Sequence, residues 1–256
     1  MTLFRSLAMS FAMFSRIPMP HLNWQKANMR YLLAALPVVG VVVGAIQWGW
    51  IELSSLFNCS PLLTAAGLVL LPLLITGGIH LDGLADTVDA LASHGDAAKK
   101  QQILKDPRCG AFAVMAIAAF LIWELVAYAE LDLKTDIIII ALIPVLSRSI
   151  AALLSLILPS NGHQGLLTAF KEAASPKAAI AILLVFLLAA GAAAFIVSLL
   201  KAAFILAALL LTAIYTGFMS KKQFGGISGD IAGYCLQISE LAMLTSLMIC
   251  EKAVMI

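Results

Sequence analysis

Asp82, Asp86 and Asp89 stand in the segment GGIHLDGLADTVDA, Gly77 to Ala90, of a 256-residue chain that is 62% hydrophobic. At ~100° per helical residue the three carboxylates fall within about 60° of one another, on one stripe. Like charges that close repel, and each costs roughly 2.5–3.5 kcal/mol if it is forced toward a bilayer centre. A cation is therefore expected between them. Mg²⁺ or Mn²⁺ suits the position, because a hard ion takes carboxylate oxygens and is usually held by one or two of them together with substrate phosphates. The pattern points to phosphoryl chemistry at a membrane surface. A solvated acidic helix face is the plainer alternative, but only 14 of the 256 residues are Asp or Glu, so the i, i+4, i+7 spacing favours the metal. Gly77, Gly78 and Gly83 keep side chains away where a phosphate or another backbone must come close. His80, two residues before Asp82, adds a group that can take or give a proton, alongside its commoner use as a structural hydrogen-bonding residue.

Phosphate-binding candidates follow at once in Lys105-Asp106-Pro107-Arg108-Cys109-Gly110. A guanidinium matches phosphate oxygens bidentately, whereas Lys adds a point charge. Arg108, between a turn-forming Asp-Pro and a glycine, is read as a phosphate ligand, with Lys105 beside it and Asp106 as a further candidate metal ligand. Lys99 and Lys100 are read only as charges that hold the segment on one side of the membrane. A second glycine-rich turn, KKQFGGISGD, offers Gly225, Gly226 and Gly229 as backbone N–H donors to phosphate. Its Asp230 is either another metal ligand or the cap of the following helix. Arg148 lies midway along the apolar run LIPVLSRSIAALL. A charge there needs a partner, which is Glu124, Glu240 or the substrate.

The elements that must position these groups are membrane helices. With 12% charged residues and a mean hydropathy of +1.02, the chain cannot hide its apolar surface in a water-soluble core. Runs long enough to span the ~30 Å hydrocarbon layer predict about seven helices, near residues 31–50, 62–79, 111–128, 137–158, 178–199, 202–219 and 231–249. The expected fold is an all-α, polytopic bundle forming a single membrane domain over 1–256, with an interfacial helix in 1–20 and an acidic segment over 77–108. With the N-terminus in the cytoplasm, Arg5, Arg16, Lys26, Arg30, Lys99, Lys100, Lys105, Arg108, Lys171, Lys177, Lys221 and Lys222 are cytoplasmic, and only Lys134, Lys201 and Lys252 lie opposite. That asymmetry sets the orientation by the positive-inside rule, and the acidic segment faces the cytoplasm with the breaker-rich loop PSNGHQG. Gly40 and Gly44 are read as a close helix contact. Cys59, Cys109, Cys235 and Cys250 form neither a disulfide framework nor a zinc site.

The segment GGIHLDGLADTVDAL followed by DPRCG closely resembles the signature of the cobalamin synthase family, the adenosylcobinamide-GDP ribazoletransferases. FSRIPMP, LPVVGVVVG, SRS and GGISGDIAG agree in order, so the resemblance runs over nearly the whole chain. Ala113, Ser228 and Gln237 depart from the residues usual there, and Gln237 replaces an acid. The resemblance implies a multi-pass enzyme of a bacterial or archaeal cytoplasmic membrane. Its substrates would be adenosylcobinamide-GDP and α-ribazole or its 5′-phosphate, its products adenosylcobalamin (or its phosphate) and GMP, and its cofactor Mg²⁺. Nucleic acid is not an expected partner, and the oligomeric state stays open. A CDP-alcohol phosphotransferase is the nearest rival, yet Ile79 occupies the first acidic position of its motif and Asp86 follows Ala85 one residue early. An ion-coupled transporter using Glu124, Arg148 and Glu240 is more distant, since no internal symmetry is visible.

Overall fold

The computed structural model describes residues 2–20, 22–162 and 165–254. They form α1 (Thr2–Phe14), α2 (Lys26–Met29), α3 (Leu36–Leu56), α4 (Pro61–Thr76), α5 (Ile79–Ala92), α6 (Ala97–Ile103), α7 (Ala111–Ala129), α8 (Ile137–Ile157), α9 (Leu166–Ala173), α10 (Pro176–Val197), α11 (Leu199–Phe224) and α12 (Gly229–Val254). Part of the PSNGHQG loop, His163 and Gln164, lies outside the described residues. Six helices, α3, α7, α8, α10, α11 and α12, are long and apolar enough to cross a membrane, and α4 with α5 makes a seventh if the bent pair counts as one span. The protein is thus a polytopic helical membrane bundle, as its composition demands.

The bend decides where the acidic motif goes. Gly77 and Gly78 both adopt left-handed backbone, with φ of 69° and 77°, a region that side chains with a Cβ rarely enter. Two such residues in succession end α4 and turn α5 by 94°. The chain that would have continued through the hydrocarbon instead runs across the end of the bundle. There α5 buries His80, Leu81, Gly83, Leu84, Ala85, Thr87 and Ala90 against its neighbours, leaving the stripe of Asp82, Asp86 and Asp89 less covered.

α8 is the centre of the bundle. Of its most apolar stretch 72% is buried, against 22% for α7 and α10, whose remaining faces are left to lipid. α3 lies on α8 through Gly40 and Gly44: a Cβ on Gly40 would press into the Pro144 carbonyl, and one on Gly44 into that of Ala141. Small residues let two backbones come this close, and dispersion contacts along the seam replace the side chains given up. Core residues divide into one cluster toward the acidic end, with Leu32, Leu84, Phe224 and Ile231, and another toward the far end, with Leu68, Ile139, Ile205 and Leu247.

Because both obstacles are backbone, Gly44→Leu should not be relieved by a rotamer change. Overpacking of this kind costs about 1–3 kcal/mol or more. Thermal unfolding in detergent should show a clear drop in midpoint, whereas Gly49→Ala, in open space on the same helix, should leave it near the parent value. Equal midpoints for Gly44→Leu and parent would contradict the α3–α8 contact.

Candidate active site at the end of the bundle

α5 and α12 meet through Gly83, whose missing side chain leaves room for the backbone of Asp230. A Cβ there would lie 2.7 Å from the Asp230 carbonyl oxygen. This close approach brings Asp230 to the acidic stripe, and the charged groups acting on Asp86 are the carboxylates of Asp82, Asp230 and Asp89. Ser228, not Asp230, caps α12: its Oγ accepts the Ile231 N–H at 3.2 Å. Asp230 is therefore free of the capping role that its position in the sequence suggests.

Asp89 is held differently from the other two acids of the stripe. Its carboxylate accepts the N–H of Gly110 at 2.5 Å and of Ala113 at 2.9 Å. These are donors at the start of α7, which every helix N-terminus leaves without an intrahelical partner. Gly110 is required beside it, since a Cβ would run into the carboxylate. Asp89 thus ties α5 to α7 while keeping lone pairs to spare.

The other predicted residues are spread more widely. Arg108, with a largely exposed side chain, makes a bidentate pair with Asp106, Nε to Oδ1 at 2.9 Å and Nη2 to Oδ2 at 2.7 Å. The hydrogen bonds from Arg108 hold the Asp106 carboxyl down at about 2, so the two groups occupy one another. Arg148 is buried and pairs with Glu240 at 2.6 Å, an interaction that Ser147 joins through Oγ. Of the partners open to Arg148 in the sequence, the structure selects Glu240. Gly225 and Gly226 close the turn after α11, and their N–H groups donate to the carbonyls of Lys221 and Ser220. Gly229 begins α12 and, with Lys105, Asp82, Asp230 and His80, lines a cavity of about 400 Å³.

His80 is buried, stacks on Phe14 with ring centroids 5.9 Å apart, and its Nε2 has no hydrogen-bond partner among the described residues. Phe14 and Phe170 also line the cavity, and neither stood out in the sequence as a site residue. Signals for them existed: Phe14 opens the FSRIPMP segment, and α9 is a short, strongly amphipathic helix whose apolar face carries Leu167 and Phe170. Lys100, read from the sequence as a topology charge, is buried and donates to the Gln223 side chain.

Among the described residues, no three His, Cys, Asp or Glu side chains are gathered into a metal-binding set. The chemistry of the donors nevertheless fits a hard divalent cation. They are carboxylate oxygens only, and the charges around Asp86 are uniformly negative.

A polytopic helical bundle with acidic side chains beside a cavity at one end is the architecture of a membrane-bound enzyme. The chain belongs to the cobalamin-5-phosphate synthase family, whose model matches residues 6–248. It is 32% identical to the adenosylcobinamide-GDP ribazoletransferase of Lachnoclostridium phytofermentans over 97% of this chain and 95% of that protein. The enzymes of the same name from Clostridium botulinum, strain Alaska E43, and Geobacillus kaustophilus are each 32% identical, over 95% and 96% of this chain and 97% and 96% of theirs. No solved structure matches the chain.

The different surroundings of the acids give a stability order. Asp89→Ala should remove the cap of α7 and cost about 0.5–2 kcal/mol. Asp86→Asn should be neutral or stabilising without added Mg²⁺, since it relieves repulsion from its acidic neighbours. Thermal unfolding of both variants in metal-free buffer would test this; a less stable Asp86→Asn beside a parent-like Asp89→Ala would reverse the assignment.

Proposed function

We propose that the chain catalyses the reaction its relatives are named for, transfer of α-ribazole or its 5′-phosphate onto adenosylcobinamide-GDP to form adenosylcobalamin or its phosphate. The near full-length family match carries the reading, and the clustered carboxylates beside a cavity support it. In the step proposed, the ribose 3′-hydroxyl oxygen forms a bond to the cobinamide-side phosphorus. The bond between that phosphorus and the bridging oxygen breaks, and GMP leaves with that oxygen. The hydroxyl proton passes to a nearby base and on to solvent.

Asp82, Asp86 and Asp230, with the remaining lone pairs of Asp89, are the groups that would hold Mg²⁺. Bound there, the ion would neutralise charge on the diphosphate and on the departing GMP. His80 lines the cavity and its Nε2 has no partner among the described residues; a neutral imidazole there would accept a hydrogen bond from the attacking hydroxyl. Lys105, on the cavity wall, supplies positive charge for a phosphate. Arg108 would join only by exchanging Asp106 for a substrate phosphate, a swap of one bidentate partner for another. Arg148, paired with Glu240, is a structural charge in this scheme.

We place this site on the cytoplasmic side, on the charge asymmetry of the loops. Cysteine labelling at Ser93 and Thr135 in otherwise Cys-free protein should then react from opposite sides of sealed vesicles. Reaction of both from one side would overturn that orientation.

The activity itself is tested with purified protein in detergent, without any ion gradient. GMP should be released from adenosylcobinamide-GDP only when α-ribazole or its phosphate and Mg²⁺ are both present. Asp82→Asn, Asp86→Asn and Asp230→Asn should each lower turnover by about 10²-fold or more, the scale of losing a group that stabilises transition-state charge. Parent-like turnover at saturating Mg²⁺ in all three would rule out the carboxylates as the ion's ligands.

A further inference from the structure

The cavity beside the carboxylates has two kinds of wall. Asp82, Asp230 and His80 are among its liners, as are Phe14, Leu36, Leu104, Leu167 and Phe170, and the two sets meet where Phe14 stacks on His80. Gln101, Asn161, Gly162 and Thr168 are shared with a second cavity, so polar groups also mark the connection between the two. The apolar liners come from α1, α3, the end of α6 and α9, elements that meet at this end of the bundle.

We infer that this cavity is the subsite for the acceptor nucleoside, its base among Phe14, Leu36, Leu104 and Phe170 and its ribose turned toward His80 and Asp82. The inference rests on the transferase reading above and adds where one of the two substrates sits. Size is the first argument. About 400 Å³ is in the range of small-molecule sites; it suits two fused rings and a ribose, whereas a corrinoid is several times larger. Polarity is the second. The base-side liners carry no charge and no side-chain hydrogen-bonding group, which suits an uncharged heteroaromatic ring stacked or edge-on against phenylalanine. The third is the His80 Nε2: His80 is only 6% exposed, and that nitrogen has no hydrogen-bond partner among the described residues, although buried polar atoms are ordinarily paired. A ribose hydroxyl supplies the missing donor at the polar end.

Equilibrium dialysis of α-ribazole with the full-length protein in detergent tests the placement, alongside KM for each substrate. Phe14→Ala and Phe170→Ala should weaken α-ribazole binding about tenfold, with KM for adenosylcobinamide-GDP changed by less than about twofold. Phe14→Leu, which keeps an apolar side chain at that position, should recover most of the affinity and guards against a folding defect in the alanine variant. Unchanged α-ribazole binding in both alanine variants, or an equal loss for both substrates, overturns the subsite. A parent that binds α-ribazole through these phenylalanines but releases no GMP leaves the subsite standing and overturns the transferase reading instead.

Discussion

Carboxylates repel one another and are costly in hydrocarbon, so α5 can carry Asp82, Asp86 and Asp89 on one stripe only where the chain leaves the bilayer's interior. The left-handed pair Gly77-Gly78 meets that requirement by turning α5 through 94° across the end of the bundle. Burial of His80, Leu84 and Thr87 on the opposite face then anchors the helix. Gly83 lets α12 come close enough to add Asp230, and the amides at the start of α7 fix Asp89. Each neighbouring helix is therefore placed partly by what it does for the acidic stripe.

Much of this was legible in the chain. Long apolar runs separated by charged loops mark membrane helices because the bilayer leaves no other way to satisfy the backbone. Gly40 and Gly44 announced a close helix contact by their spacing, though not that α8 would be the partner, and the stripe of acids followed from helical periodicity alone. The bend did not follow in the same way. Gly-Gly is compatible with a turn of any direction, and its angle is set by where α5 finds apolar surface to cover. Asp89's tie to α7 is a contact between residues 21 and 24 positions apart, which no local pattern encodes. The glycine turn at Gly225 and Gly226 reads as a phosphate cradle by composition, yet its first amides close the end of α11. Composition reports that a backbone is free to turn, not what its N–H groups will meet.

The cavity is the part least visible in sequence, because it is assembled from elements distant along the chain. α1 and α9 each carry too little apolar surface to stand alone. Laid against the bundle, they bring Phe14 and Phe170 to a common space, with Trp24 stacked on Phe170 at 6.4 Å between ring centroids. A signal exists in α9's amphipathicity, but it says only that one face is covered, not by what.

Charge pairing separates scaffold from site. At the far end Lys201 joins Asp136 at 2.6 Å and Glu251 at 2.8 Å, and Lys252 meets Glu130 at 2.8 Å. Within the bundle Arg148 has Glu240. The buried pairs, those of Lys201 and Arg148, add little net stability, because desolvation offsets most of their attraction, but removing one partner leaves a charge stranded and is costly, whereas the exposed Lys252–Glu130 pair contributes little either way. They fix helix register and stay occupied. Asp82, Asp86 and Asp230 lack any such ion pair among the described residues, although lysines and arginines are plentiful nearby in sequence. The arginine closest along the chain, Arg108, is neutralised by Asp106, two residues away. A protein cation inserted among these acids would have stabilised the resting fold and blocked the approach of a metal and a diphosphate. The missing countercharge among the described residues is therefore the feature that distinguishes this end of the bundle, and it is the observation on which the proposed Mg²⁺ site rests.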